Sequence, residues 1–430
     1  MEEKKTVQTE VEKPRDRAVL AGLSSPRLDK RDNADEDTLE ELGALVETAG
    51  GEVAAVVLQN RAAPEPRTFI GEGKVAEIRE LVRSEEATMV IFDNDLSPSQ
   101  MRVLTQELGV QVLDRSGLIL DIFAQRARTR EGRLQVELAQ YQYLLPRLTG
   151  MWTHLERQAG TSGKGPIGSK GPGETQLETD RRHIHRKIDK LKAELEEVRR
   201  VRGTQRQRRM KNEIPVVAIV GYTNAGKSTL LNALTGAGIP ANDRLFDTLD
   251  TTARLLTVSD TLEVILTDTV GFIAKLPHHL VEAFQATLEE LAYASLLIHV
   301  IDASDPERQA HMAVVERLTA QLAPGTPVIR CYNKADLVSP LDIPAGKDQV
   351  AVSAAQGVGL DRLLQLVEQG LNRGKHRANF LLPYDQGRIL ERLHRQGQVL
   401  SVDYRPEGIA VEAVCGPVLY GQLTQYVAEA

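Results

Sequence analysis

Hydrophobic and polar positions change their spacing several times along this chain. From Arg17 to about Leu118, short apolar runs at Ala18–Leu23, Val53–Leu58, Met89–Phe92 and Val110–Leu113 predict strands. Between them, apolar residues at helical spacing predict helices over Glu36–Thr48, Lys74–Val82 and Pro98–Glu107. Strand and helix alternating through short links imply βαβ units and a parallel sheet. Residues 17–118 are therefore expected to form a small α/β domain behind a disordered, charged tail at 1–16. The turn at Gly71–Lys74 falls short of a phosphate-loop consensus and reads as a helix N-cap.

The period then lengthens. Leu134, Leu138, Tyr141, Leu145 and Leu148 recur at alternating steps of four and three, as do Ile184, Ile188, Leu191, Leu195 and Val198. Two such seams predict an antiparallel helical hairpin over 119–212. Its tip, Gly160–Gly173, holds six glycines in fourteen positions and is expected to be mobile. Residues 213–374 return to strand–helix alternation. Beyond them, strands at Asn379–Leu382, Val399–Tyr404 and Gly408–Val414 with helices at Gln386–Arg395 and Pro417–Val427 predict a small α+β domain over 375–430.

Composition adds limits. A chain of 430 residues needs two to four domains. No apolar stretch approaches the ~18 residues of a membrane span, and the charged start carries no secretory signal. Cys331 and Cys415 sit in apolar runs and read as buried thiols, so a cytoplasmic location is expected, with peripheral membrane association as the alternative. His183 and His185 lie among arginines without metal-ligand company.

Charge is uneven. The whole chain carries −7, which excludes a uniformly basic nucleic-acid coat. Residues 181–211 nonetheless hold thirteen Lys or Arg against four acids, a net +9, and the tip adds Lys164 and Lys170. A solvated helix face would explain a charge run alone. Concentrated on one arm of an acidic protein, it points to polyanion contact. Few aromatics accompany it, so phosphate contact and shape reading of folded RNA fit better than base stacking.

The most specific chemistry lies between 215 and 355. The buried strand pattern Pro215–Gly221 runs into GYTNAGKS (Gly221, Tyr222, Thr223, Asn224, Ala225, Gly226, Lys227, Ser228) and then the apolar helix Thr229–Leu234. This is a phosphate-binding loop in its strand–loop–helix context. Gly221 and Gly226 let the backbone turn its N–H groups toward phosphate, Lys227 supplies a point charge, and the Ser228 hydroxyl suits Mg²⁺. Asp268, Thr269, Val270 and Gly271 end the strand Glu263–Leu266; Asp268 can hold a metal-bound water and Gly271 can offer its N–H to the γ-phosphate. Asn333, Lys334, Ala335 and Asp336 follow the strand Val328–Tyr332, where the Asp336 carboxylate can accept from guanine N1–H and N2–H₂. Ser353, Ala354 and Ala355 end a further strand and can place a backbone N–H on guanine O6. The loop Phe246, Asp247, Thr248, Leu249, Asp250, Thr251, Thr252 must carry the metal-sensing threonine, and spacing leaves Thr248, Thr251 and Thr252 open.

In this order the motifs resemble GTPases of the class that includes the Obg and HflX proteins. The runs at 69–74 (FIGEGK), 114–121 (DRSGLILD) and 171–182 (GPGETQLETDRR) are similar to HflX-type GTPases specifically. The resemblance implies an N-terminal α/β domain and helical hairpin before a Ras-like G domain. It also implies GTP and GDP as ligands, Mg²⁺ as cofactor with Thr248 as its second ligand, and the large ribosomal subunit as partner, touched through residues 119–212. GTP would be used in ribosome splitting or rescue under stress. A ribosome-assembly role, or a GTP-controlled scaffold on an acidic protein or membrane, are the other readings of the basic arm. A monomer is expected.

One position departs from Ras-like chemistry. Phe272 stands where many GTPases carry a water-positioning glutamine, so no catalytic residue is assigned and slow intrinsic hydrolysis is expected. Asn224 resembles an asparagine that accompanies K⁺ beside the phosphates; capping of the loop backbone is the alternative reading.

Overall fold

The computed structural model describes residues 15–29, 32–151, 172–211, 214–236, 245–246, 252–260, 262–275 and 291–428. They gather into two compact units, Met1–Gln125 with Ala139–Ile188, and Arg126–Leu138 with Asp189–Ala430.

The first unit opens with β1 (Arg17–Ser24), α1 (Glu36–Ala49), β2 (Glu52–Asn60), α2 (Glu72–Ser84), β3 (Met89–Phe92), α3 (Pro98–Leu108), β4 (Gln111–Asp114) and α4 (Arg115–Arg126). The strands form a parallel sheet in the order β2-β1-β3-β4. Local chemistry sets the helix ends. The Asp35 carboxylate accepts the Thr38 N–H at the start of α1, and Gly50 closes it at φ 93°. Ser97 and Gln100 cap α3 reciprocally around Pro98. Helix α2 starts after Gly71, the turn that the sequence marks as an N-cap. Val19, Leu23, Ile78, Val90, Phe92 and Leu104 pack one core. Helix α4 carries the chain across residue 118 unbroken and buries Ile119, Ile122 and Phe123.

A polar network lies at the carboxyl ends of these strands. Arg115, 1% exposed, pairs with Asp93 at 2.7 Å and with Glu41. Asp114 accepts from the Tyr143 hydroxyl at 2.7 Å, from Arg147 Nη2 at 2.8 Å and from the Gly117 N–H at 2.9 Å. Charges this deep persist only when paired. Burial and the neighbouring Asp114 push the Tyr143 phenol far upward.

Tyr143 and Arg147 belong to α5 (Arg130–Met151), which with α6 (Pro172–Lys211) makes the two long helices. Leu134 and Leu138 of α5 and Ile188, Leu191 and Leu195 of α6 are buried, and Arg130 pairs with Glu194 at 3.7 Å. Tyr141 and Val198 are only half-buried, while Val136, Ala139 and Tyr143 are covered. Helix α5 thus buries a wider face than a heptad seam. The tip residues 160–171 lie outside the described residues.

The second unit centres on six strands in the order β10-β9-β8-β5-β7-β6: β5 (Val216–Gly221), β6 (Thr252–Ser259), β7 (Leu262–Asp268), β8 (Leu296–Asp302), β9 (Val328–Asn333) and β10 (Gln349–Ala351). All neighbours are parallel except β6 on β7. Helices α7 (Lys227–Thr235), α8 (Arg308–Leu322) and α9 (Leu360–Leu371) accompany them. A three-stranded antiparallel sheet follows, β11 (His376–Leu382), β13 (Gly408–Cys415) and β12 (Gly397–Arg405) in that order, with α10 (Gly387–Gln396) and α11 (Pro417–Leu423). Helix α11 stops at Leu423 and tightens into a 3₁₀ turn at Thr424–Tyr426, short of the end at Val427 that the sequence suggests. Both cysteines are buried and unpaired, and burial pushes the Cys331 thiol up to about 12.

Tyr143→Phe should lower the unfolding free energy by about 1–2 kcal/mol, since it strips a buried carboxylate of one donor. Denaturant unfolding of the full chain measures it; an unchanged midpoint would mean that Arg147, Gly117 and the Leu96 N–H satisfy Asp114 unaided.

Candidate functional site

The centre of the sheet sets the site. Strand β5 is buried over Val217–Gly221, and a Cβ on Gly221 would stand 2.4 Å from the Val300 carbonyl of β8. The chain then turns through left-handed Asn224 (φ 59°) and Gly226 (φ 89°) into α7. At Gly226 a Cβ would meet Asn333 Nδ2 at 2.2 Å, so only glycine fits. The first N–H groups of α7 precede the helical hydrogen-bond ladder, and the N-terminus of a helix after such a loop is the arrangement that receives phosphate.

Lys227 is buried and its Nζ donates to the Tyr222 carbonyl at 2.7 Å. Burial draws its pKa down to about 8, against the opposing pull of Asp268. His299 of β8, also buried, is pushed down to about 3 by burial and by Arg330 and Lys227, so it adds no positive charge beside the lysine. The Ser228 hydroxyl donates to Asp268 Oδ2 at 3.0 Å. A hydroxyl and a carboxylate side by side are hard oxygen donors that fit Mg²⁺. Among the described residues no three His, Cys, Asp or Glu side chains are grouped so as to hold a metal ion. A metal here would therefore share its shell with phosphate and water, as Mg²⁺ does at nucleotides.

Switch-like contacts follow β7. Thr269 Oγ1 donates to the Ile219 carbonyl at 2.7 Å. Gly271 lies so close to the loop that a Cβ would meet Thr223 Cγ2 at 2.9 Å and Lys227 Nζ at 3.0 Å. Phe272 donates its N–H to the Gly221 carbonyl (3.1 Å) and accepts the Thr223 N–H (2.8 Å), extending the β5–β7 ladder by one bridge. Its side chain is 2% exposed, so it belongs to the interior.

The other end of the cleft is built on β9. Asn333, 3% exposed, donates Nδ2 to the Ala225 carbonyl at 2.9 Å and accepts the Ala354 N–H at 3.0 Å. Lys334 takes a left-handed backbone (φ 58°) and pairs with Asp302 at 2.7 Å. Asp336 and Ala355 are exposed, Ala335 donates its N–H to the Val352 carbonyl, and Ser353 is buried with its hydroxyl accepting the Gln356 N–H. The structure thus brings 221–228, 268–271, 333–336 and 353–355 to the carboxyl edge of one sheet, where parallel α/β sheets carry their ligands. Phe246 is buried in a turn. Asp247, Thr248, Leu249, Asp250 and Thr251 lie outside the described residues.

Tyr222 is shared between the loop and α8. Its backbone stays in the loop, while its ring is buried and stacks on His311 of α8 with centroids 3.8 Å apart. His311 and its partner Asp305 carried no signal in the sequence, since nothing local ties them to the loop.

Strand–loop–helix geometry, a metal-ready Ser–Asp pair and an NKxD turn at the adjacent strand end define a P-loop GTPase. The profile of the family described as a 50S ribosome-binding GTPase matches residues 216–334. Those of a GTP-binding GTPase N-terminal region and middle region match 36–124 and 126–209. A GTPase HflX of Caldanaerobacter subterraneus is 48% identical over 94% of this chain and 92% of its own. The GTPase HflX of Escherichia coli is 46% identical over 87% and 88% respectively. The chain belongs to the HflX family of GTPases. A solved GTP-binding protein from Sulfolobus solfataricus in complex with GDP is 25% identical, covers 83% of this chain and 99% of its own, and superposes with a TM-score of 0.44.

Lys227 generates a pH prediction. Its folded pKa of about 8 lies below the ordinary 10.5, so between these values the unfolded chain binds the extra proton. Stability contributed by this site should therefore rise as pH increases from about 8 to about 10.5. The difference in unfolding free energy between wild type and Lys227→Met, measured without nucleotide across that window, should show the rise. A flat difference would mean that the amine is not desolvated.

Proposed function

We propose that this protein is a ribosome-associated GTPase that binds the large ribosomal subunit through the α5–α6 arm and uses GTP to split or rescue ribosomes under stress. The observation that carries the reading is the arm's charge. In a chain of net −7, Arg181, Arg182, Arg186, Lys190, Lys192 and Arg199 of α6 are exposed along one stretch of helix. Such a density of cations attracts phosphate and makes binding steeply salt-dependent.

At the nucleotide, the loop N–H groups and Lys227 would hold the β- and γ-phosphates, and Gly271 would offer its N–H to the γ-phosphate. Ser228 and Thr248 would ligate Mg²⁺, with Asp268 acting through a water. When bound, the metal neutralises charge building on the phosphate oxygens. Asp336 would select guanine, with the backbone of Ala354 and Ala355 at O6. The Asn224 side chain, exposed on its left-handed turn, would help to hold K⁺ beside the phosphates. The buried Phe272 supports slow hydrolysis by the isolated chain, because its ring neither reaches nor orients water. A docked ribosome would then complete the catalytic charge.

Sedimentation of ribosomes with the protein plus GTP, GDP or a non-hydrolysable analogue tests the assignment. Co-sedimentation favouring the GTP forms is expected, and binding to anionic vesicles or acidic protein without ribosomes would overturn it. Arg181, Arg182 and Arg186 changed together to Glu should weaken particle binding and flatten the salt slope by about one per lost phosphate contact. Hydrolysis should be faster in K⁺ than in Na⁺ and faster still with ribosomes; rapid turnover indifferent to both would remove the need for a partner.

Asp336→Asn should reduce GTP affinity by several kcal/mol and admit xanthine nucleotides, whose 2-oxo group accepts from the amide. Equal GTP affinity in a nucleotide titration would end the claim of a guanine site.

A further inference from the structure

The segment after Gly271 is anchored to the phosphate loop at three successive points. Two are the backbone hydrogen bonds of Phe272 to Gly221 and Thr223. The third is a side-chain contact: the Tyr222 hydroxyl accepts the Ala274 N–H at 2.7 Å. Ile273 between them is 1% exposed, so the stretch 272–274 has little room to move.

Tyr222 is itself held from outside the loop. Its ring lies on the His311 imidazole at 3.8 Å with 14° between the planes. His311 Nδ1 is 2.5 Å from Asp305 Oδ2. The other Asp305 oxygen accepts the Glu307 N–H at 2.8 Å, just before α8. Burial works against the Asp305 carboxylate, yet the His311 and Glu307 contacts hold it below the usual carboxylate range. An unbroken line of contacts therefore runs from the loop after β8, through Asp305, His311 and Tyr222, to the Ala274 peptide.

We propose that His311 and Asp305 are positioning residues for GTP hydrolysis, acting through the Tyr222 hydroxyl to hold the Gly271–Ala274 segment against the phosphate loop. Neither side chain needs to touch nucleotide. Their effect is to fix where the Gly271 peptide stands relative to the Lys227 amine, the two groups at the γ-phosphate end of the cleft. A displacement of about 1 Å at such a point is enough to cost rate without costing ground-state affinity. Phe272 makes the anchor more important: with no glutamine amide at this position, the backbone after β7 is the part of the segment left to be aligned.

The test uses single-turnover GTP hydrolysis by the full-length protein, with GDP affinity measured alongside. Tyr222→Phe keeps the stacked ring and removes one hydrogen bond; the hydrolysis rate should fall about tenfold. His311→Ala and Asp305→Ala should each lower the rate several-fold while GDP affinity stays within about threefold. His311→Phe keeps a stacked ring but loses the bond to Asp305, so it should recover only part of the loss and match Asp305→Ala. The combination Tyr222→Phe with His311→Ala should be no slower than Tyr222→Phe alone, because both act on the same bond. Wild-type rates in Tyr222→Phe would overturn the proposal, as would multiplicative losses in the double variant. Parallel losses of rate and GDP affinity in His311→Ala would overturn it too, since they indicate general loosening of the domain.

Discussion

The carboxamide of Asn333 is the contact on which the rest of the nucleotide cleft depends. One end donates to the Ala225 carbonyl inside the phosphate loop, and the other accepts the Ala354 N–H beyond β10. A single buried side chain at the end of β9 thus fixes the distance between the phosphate end and the base end of the cleft. Both of its partners are backbone groups out of reach of water, where an unpaired one costs about 1–3 kcal/mol. The same contact explains Gly226, because any Cβ there would occupy the space of the Asn333 amide nitrogen. Gly221 against Val300 and Gly271 against Thr223 are two further close approaches. Three missing side chains let three segments converge, and Asn333 keeps them converged.

Much of this was legible in the sequence, for a physical reason. Strand runs and amphipathic helices leave periodicities that survive without knowledge of the fold, so Met89–Phe92 and the start of α3 at Pro98 match the sequence reading. Caps are equally local: Asp35 and Ser97 hydrogen-bond within four residues. The phosphate-loop and NKxD residues were found because their spacing is dictated by the backbone geometry of one turn. Contacts across long separations were not. Arg115 with Asp93, Tyr143 with Asp114 and His311 with Tyr222 join residues tens of positions apart, and no pattern in either partner announces the other. The width of the α5 face was missed for the same reason. A seam of alternating fours and threes describes one neighbour, whereas Tyr143 also serves Asp114.

Electrostatics sets the cations of α6 apart from Lys227. The cations of α6 over 181–200, Lys187 apart, are exposed to water, where each costs little and attracts anions at a distance. Lys227 is the opposite: it is buried, its proton weakened to about 8, and it leans on a backbone carbonyl. A desolvated ammonium of this kind gains more from an incoming phosphate than an exposed one would, because little water remains to be displaced from it. The exposed cations suit recognition of a large polyanion, and Lys227 suits a single small anion held tightly.

Phe272 ties these points together. In the place of a water-positioning glutamine the chain carries an apolar ring that is 2% exposed and a peptide that bridges β5. Burying such a ring contributes about 1.5–3 kcal/mol, which anchors the segment after β7 to the sheet. A glutamine would need its amide in the cleft and could not serve as the anchor at the same time. The residue therefore favours a well-held segment, and on the proposed function it does so at the expense of fast unaided chemistry. On the proposed function, an enzyme built this way would keep its GTP until something outside the domain supplied the missing alignment or charge. If that something is the ribosome proposed for the basic arm, hydrolysis would follow docking in time, and the order of events would be set by which side chain stands at one position.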